Sequence, residues 1–221
     1  MKTNWIGVLS VIAIVFLLIF PANQALAEKP IILGCPLSTA FLYGWDAERG
    51  FKLAVEEINN AGGILGRDIQ LAIRDSQSKA DVAKKNVGEL IDSDGCEMIF
   101  GGSASSVAIV GGKAAKARGK IYFGTLTYSN ATTGKEGHKY MFRECYNAWM
   151  GAKVLSEYLK ENFSGKRYFY VTANYTWGWT TEASIRKFSR SLDSKRHKRV
   201  LTPFPGATDA DFEKALKRAE A

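Results

Sequence analysis

Short apolar runs alternate with amphipathic stretches from residue 30 to the end of the chain, and each run is the length of a strand. Residues 30–34 form the first. The run is apolar without a break, as expected of a strand covered on both faces. A loop through Tyr43-Gly44 follows, then a helix over about 46–61. Phe51, Ala54, Val55 and Ile58 mark its buried stripe, and Glu56, Glu57 and Asn59 are placed toward water. Gly62-Gly63 ends that helix, because glycine takes the left-handed C-terminal geometry without a Cβ clash. Residues 69–74 form a second strand. The next helix is capped by Ser78 or Asp81 and turns Val82, Val87, Leu90 and Ile91 inward. A third strand over 97–100 turns at Gly101-Gly102 into a helix from near Ser105. A fourth strand spans 121–123, a polar loop 124–137 and a fifth strand 139–143.

The alternation then restarts. A helix over 148–162 is expected to turn Val154, Leu155, Tyr158 and Leu159 inward. A strand over 167–172, a helix over 181–192 and a strand at 200–201 follow. A last helix opens at Asp209 and packs through Phe212, Ala215, Leu216 and Ala219. Strands separated by helices predict the α/β class: two lobes, each a parallel sheet flanked by helices. The expected division is 28–146 for the first lobe and 147–221 for part of a second. The last helix has an apolar face and no strand after it, so the second lobe is expected to be incomplete.

The first 27 residues read differently. Lys2 supplies a positive start, residues 6–20 are almost wholly apolar, and Ala25-Leu26-Ala27 puts small residues where a signal peptidase reads them. The apolar run is short for a permanent membrane span. This segment is expected to be a cleaved signal peptide, which places the rest of the chain in the periplasm. Ile32-Leu33-Gly34-Cys35 lies too far beyond the apolar run to be a lipid-attachment box and reads as a strand.

Composition is that of a globular protein: 46% hydrophobic and 24% charged residues, with a formal charge of +8. The positive charge is densest from Arg186 to Arg199, where seven Lys and Arg face Asp193 alone. A basic run of this kind suits nucleic acid or a membrane surface, but here it reads as the wet end of a helix and its turn. No nucleic-acid partner is expected. Cys35, Cys96 and Cys145 form no CxxC pair, and the pairing of any two is left open by the sequence. No G-x-S-x-G, H-E-x-x-H or CxxC motif is present, and the histidines are His138 in a polar loop and His197 in the basic run. Neither an activated nucleophile nor a zinc site has its residues, so no enzymatic activity, metal or cofactor is expected.

Candidate chemistry lies at strand ends. Gly101-Gly102-Ser103-Ala104-Ser105-Ser106 joins a strand to a helix. The unpaired N–H groups at a helix start suit a carboxylate, and serine hydroxyls there can cap the helix or donate to a ligand. The segment is neither a Walker loop nor a dinucleotide-binding turn.

Residues 44–77, GWDAERGFKLAVEEINNAGGILGRDIQLAIRDSQ, combine a helix ending in IN-x-x-GG with I-x-G and a strand closing on Asp. Phe100-Gly101-Gly102 precedes Ser105-Ser106, Tyr175-x-Trp177-Gly178 follows a strand, and Asp211-Phe212 opens the last helix. In these features nearly all of 28–221 resembles type I periplasmic solute-binding proteins of the Leu/Ile/Val-binding-protein-like group, which also serves amides and urea. The resemblance implies two lobes joined by hinge strands and closing on a small polar solute, with one hinge crossing near 143–147. It also implies an ABC permease in the inner membrane as partner. The same fold serves as the sensing domain of receptors, which is the alternative reading. By resemblance, Ser105 falls on the serine that holds the ligand carboxylate, Tyr43 on a side-chain contact, and Trp177 on a tyrosine that closes over the ligand. After the fourth strand, Leu126 and Tyr128 fall on family contact positions without a gap; a shift by one brings in Thr127, chosen for its hydroxyl. Tyr175, Trp177 and Trp179 form an aromatic rim, in which Trp179 is expected to cover the core.

Overall fold

The computed structural model describes residues 29–220; the expected signal peptide over 1–27 lies outside the described residues. In chain order the elements are β1 (Ile31–Leu37), α1 (Leu42–Asn60), β2 (Ile69–Asp75), α2 (Ala80–Asp92), β3 (Met98–Gly101), α3 (Ser105–Lys116), β4 (Tyr122–Gly124) and β5 (Met141–Arg143). These form one parallel five-stranded sheet in the order β2-β1-β3-β4-β5. After β5 come α4 (Ala148–Phe163), β6 (Tyr170–Ala173), α5 (Thr176–Phe188), β7 (Arg199–Thr202) and α6 (Asp209–Glu220). Here β6 and β7 pair in parallel as a separate sheet. The molecule is thus an α/β fold of two lobes, as the alternation of runs implies.

The first sheet is covered on both faces, which explains its unbroken apolar strands. On one face Ile99, Tyr122 and Met141 pack with Val87 and Leu90 of α2 and Ala108 and Ala115 of α3. On the other, Phe100, Phe123 and Phe142 stack across β3, β4 and β5 at 5.5 and 6.1 Å, with Phe51 of α1 edge-on to Phe100. Gly62 and Gly63 close α1 at φ 97° and 72°, the left-handed geometry expected of them.

Both helices that carry aromatic candidates begin earlier than the apolar pattern suggests, and for the same reason. α1 starts at Leu42, so Tyr43 sits in its first turn and not in a loop. α5 starts at Thr176 rather than 181, so Trp177 does too. In each, the residue after the aromatic is a glycine pressed on the end of the preceding strand. A Cβ on Gly44 would overlap the Ser38 carbonyl, and one on Gly178 the Ala173 carbonyl. The missing side chain lets each helix begin directly above its strand.

Several packing expectations are corrected. The inward face of α4 is the small series Ala148, Ala152 and Ser156, while Val154 and Tyr158 are 72% and 56% exposed. Small residues let α4 lie close to α5; the larger ones point away. Of the apolar residues on α6 only Ala215 is buried. Asn59 is not merely solvated: its side-chain amide donates to the Ile69 carbonyl and accepts the Ile69 N–H, pinning β2 to the end of α1. Ser78 does not cap α2, whose N-cap is Lys79, and joins a serine network described below. Trp179 does not cover the core; it is exposed, with its indole N–H on Asn174 Oδ1 at 3.1 Å. Nor is the basic run wholly wet. Arg186 is buried, donates to Glu182 at 2.6 Å, and lies 4.1 Å over the Tyr170 ring. Cys35, Cys96 and Cys145 are all free thiols.

Candidate functional site

In an open parallel sheet, the crevice forms where neighbouring strands send their following connections to opposite sides. In the order β2-β1-β3-β4-β5 that point lies between β1 and β3. Just beyond it, the Ser38 N–H donates to Ser103 Oγ at 2.7 Å, tying the two outgoing loops together. A cavity of about 350 Å³ opens there, lined from the first lobe by Tyr43, Ser103, Ala104, Ser105, Leu126 and Tyr128. Tyr146 from the crossing, and Tyr175, Trp177 and Phe204 from the second lobe, complete it. Every lining residue follows the carboxyl end of a strand: β1, β3, β4, β5, β6 or β7. Its size is that of a small-molecule site.

Three helix N-termini meet at this cavity. Tyr43 is the second residue of α1, Ala104 and Ser105 open α3, and Tyr175 and Trp177 open α5. Their N-cap residues, Phe41, Ala104 and Tyr175, make no side-chain capping bond. Asn147, by contrast, caps α4 by accepting the Met150 N–H at 2.9 Å. A helix start without a side-chain cap keeps N–H groups available and carries partial positive charge, so it attracts an anion. None of the cavity's lining residues is Asp, Glu, Lys or Arg. A carboxylate entering it would therefore meet helix dipoles and hydroxyls.

Aromatic rings supply most of the remaining wall. Tyr175 stacks on Phe204 and stands 6.0 Å from Trp177; Tyr128 lies 6.5 Å from Trp177 and 4.7 Å from Tyr146. Burial pushes the Tyr175 phenol well above its ordinary range, and the neighbouring Tyr43 adds to the rise. Burial raises Tyr128 as well, with smaller contributions from Cys145 and Tyr146. Both phenols remain neutral at physiological pH and can donate.

Two hydroxyl networks fix the walls. The Tyr43 hydroxyl bonds to Ser78 Oγ at 2.9 Å, Ser78 Oγ donates to Ser38 Oγ at 2.8 Å, and Ser38 Oγ meets Ser76 Oγ at 3.0 Å. This buried serine cluster orients Tyr43. Across the crevice, Ser105 Oγ accepts the Ser129 N–H at 3.0 Å. Ser129 Oγ in turn meets Thr176 Oγ1 at 2.9 Å and accepts from Thr180 Oγ1 at 3.2 Å, joining the first lobe to α5. Arg143 Nη1 donates to the Ser129 carbonyl at 2.7 Å, holding the same loop from the end of β5.

Of the five residues singled out from sequence, four come together here: Tyr43, Ser105, Tyr175 and Trp177. Thr127 does not. It is fully buried, with its hydroxyl 2.6 Å from that of Thr132, and its neighbours Leu126 and Tyr128 line the cavity instead. Leu126 and Tyr128, the positions of the ungapped reading, thus reach the cavity and the hydroxyl between them does not. Phe204 and Tyr146 went unnoticed in the sequence. Their signal is position alone: Phe204 follows its strand end by two residues and Tyr146 by three, and the other lining residues likewise lie within two to six residues of a strand end.

Two α/β lobes, with a cavity between them walled by strand-end loops from both, define a two-lobed binding protein. A model of the family described as periplasmic binding protein matches residues 36–221. The chain belongs to that family and is a type I periplasmic binding protein of the Leu/Ile/Val-binding-protein type. It is 30% identical over 207 residues to Leu/Ile/Val-binding protein BraC3 of Rhizobium johnstonii, an alignment covering 90% of this chain and 54% of that one. The fold superposes on the branched-chain amino acid transporter substrate-binding protein LivJ of Streptococcus pneumoniae, solved with isoleucine, at a TM-score of 0.71 and 23% identity. That match covers 87% of this chain and 54% of LivJ. A solute-binding protein of an ABC transporter from Rhodopseudomonas palustris, solved with 3,4-dihydroxybenzoic acid, also gives a TM-score of 0.71, at 18% identity over 87% of this chain and 52% of that one. The chain thus spans about half the length of the relatives it matches.

Proposed function

We propose that the protein is the extracytoplasmic substrate-binding component of an ABC importer, delivering an amino acid, amide or similar small polar solute to a permease in the inner membrane. The observation that carries the reading is the cavity between the lobes, where three helix starts without side-chain caps meet a wall of aromatic rings. The ligand it suits bears a carboxylate and an apolar or planar body. The carboxylate lies at the N-terminus of α3, receiving backbone N–H groups and the Ser105 hydroxyl. The body packs on Tyr43, Tyr175 and Trp177, whose faces favour apolar and planar groups. BraC3, named for Leu, Ile and Val, and the relative solved with a dihydroxybenzoic acid both fall within that description. Only tighter binding to the closed arrangement can draw the lobes together, and residues from both lobes touching one ligand supply that difference. Catalysis forms no part of this reading.

The test is thermal melting of the intact chain with branched-chain and aromatic amino acids, their amides, urea and hydroxybenzoates, followed by calorimetry on any that stabilise. One or more carboxylates are expected to raise the melting temperature, and Ser105→Ala and Trp177→Ala to abolish the rise. If no solute in that panel shifts the melt, the proposal fails.

A further inference from the structure

A second hollow, about 550 Å³, lies on the second lobe alone, at the amino ends of β6 and β7, opposite the strand ends that carry Tyr175 and Phe204. Its wall includes Lys160, Lys166, Arg190, Arg196 and the buried His197, with Asp193 as the one carboxylate. That carboxylate is already engaged, since Asp193 Oδ1 accepts the backbone N–H groups of Lys195 and Arg196 at 2.9 and 3.3 Å.

The four cations lack the ion pairs that hold several arginines elsewhere in this chain. Arg67 pairs with Glu97, Arg74 with Glu89 and Asp94, Arg118 with Asp92, and Arg186 and Arg199 with Glu182. Lys160, Lys166, Arg190 and Arg196 have no carboxylate within ion-pair distance among the described residues. The carbonyl-bearing ends of α4 and α5 meet nearby and attract cations in part, as the Arg196 Nη2 bond to the Gly165 carbonyl shows. That leaves most of the charge and most of the donors without a partner.

Two further observations point to an occupant. Arg190 follows α5 at φ 56°, the left-handed position where glycine is favoured, yet it places a guanidinium on the hollow. The His197 Nδ1 accepts the Tyr168 N–H at 3.1 Å, which leaves the ring proton of the neutral imidazole on Nε2. That Nε2–H has no acceptor among the described residues, and His197 lines the hollow.

We propose that this hollow binds a phosphate-bearing anion, with Lys160, Lys166, Arg190 and Arg196 around it and His197 as a neutral donor. Guanidinium forks and ammonium groups converging on one concavity match the several oxygens of a phosphate. The group arrives either free in solution or as the headgroup of an anionic phospholipid.

Inorganic pyrophosphate is titrated into the intact chain by calorimetry at low and high salt, and flotation with phosphatidylglycerol vesicles is compared with phosphatidylcholine. Saturable binding is expected, weakening as salt rises, at least tenfold weaker in the double variant Lys166→Ala, Arg190→Gly, and unchanged in Trp177→Ala. Glycine at 190 favours the backbone geometry, so this variant should melt no lower than the parent and its loss of binding cannot be assigned to misfolding. Binding to phosphatidylglycerol vesicles but not to pyrophosphate assigns the headgroup as the source. Binding to neither, or equal binding by the double variant, overturns the proposal.

Discussion

The rings of Tyr175 and Phe204 lie face to face, 3.7 Å between centroids and 10° from parallel. One heads α5 and the other follows β7, yet both rest on Ala83, Ala104 and Val107 of the first lobe. The pair is where the second lobe bears on the first beside the cavity. Tyr175→Ala removes a stack worth about 0.5–1.5 kcal/mol beyond its buried area and one wall of the site. It is expected to weaken ligand binding about tenfold or more and to widen the ligand-bound particle in small-angle scattering. An alanine variant as compact and as tight-binding as the parent would refute this role.

Gly44→Ala and Gly178→Ala drive a methyl group into the carbonyl of the preceding strand end. Each should cost about 1–3 kcal/mol in urea denaturation, the usual range for overpacking. Gly50 provides the contrast. It lies inside α1 with nothing within 4 Å of an added Cβ, so Gly50→Ala should stabilise by about 0.5–1 kcal/mol.

Glu182 is buried at the centre of the second lobe, accepting from Thr172 Oγ1 at 2.7 Å and Arg186 Nε at 2.6 Å, with Arg199 at 3.5 Å. Glu182→Ala leaves the buried Arg186 without its counter-charge, at a cost of about 3–5 kcal/mol. The expected outcome is preferential melting of this lobe, seen as loss of hydrogen-exchange protection in β6 and α5 while β1–β4 stay protected.

Stability should decline in alkali. Burial pushes the Cys35 thiol up to about 12 and the Cys96 thiol to about 11, each from an ordinary 9.0. The folded chain thus keeps protons that the unfolded chain gives up, so stability is fully present below about pH 9 and falls as pH rises toward 11–12. Burial shifts the Tyr122 phenol in the same direction, and its hydroxyl has no hydrogen-bond partner among the described residues. Tyr122→Phe is therefore expected to stabilise at neutral pH by about 1 kcal/mol and to lessen the alkaline decline, read from urea midpoints at pH 7 and 10.5. A destabilised Phe variant would contradict this account of the hydroxyl.

Much of this architecture was legible in the chain. All but the first residue of the apolar run 30–34 lies in β1, the run 69–74 lies within β2, and Gly62-Gly63 ends its helix, because periodicity and left-handed glycine act locally. What was not legible depends on contacts distant in sequence. The early starts of α1 and α5 follow from glycine meeting a strand-end carbonyl, and the inward face of α4 from its closeness to α5. At the site, Tyr43, Ser105, Tyr175 and Trp177 could be proposed from strand-to-helix turns and family likeness. Thr127 was chosen for its hydroxyl, but that group is satisfied internally by Thr132, which hydroxyl chemistry alone cannot foretell. Phe204 required knowing that the chain after β7 returns to the mouth shared with β6.

Glycines 44 and 178 fix where their helices begin, so the residues just before them carry no such duty. Recognition and architecture are separated in each half by a single peptide bond. Exchanging the side chain at 177, which unlike that at 43 is not bonded into the serine cluster, should retune which guest is admitted while the frame beneath stands unaltered, a modularity suited to redesigning the protein for new solutes.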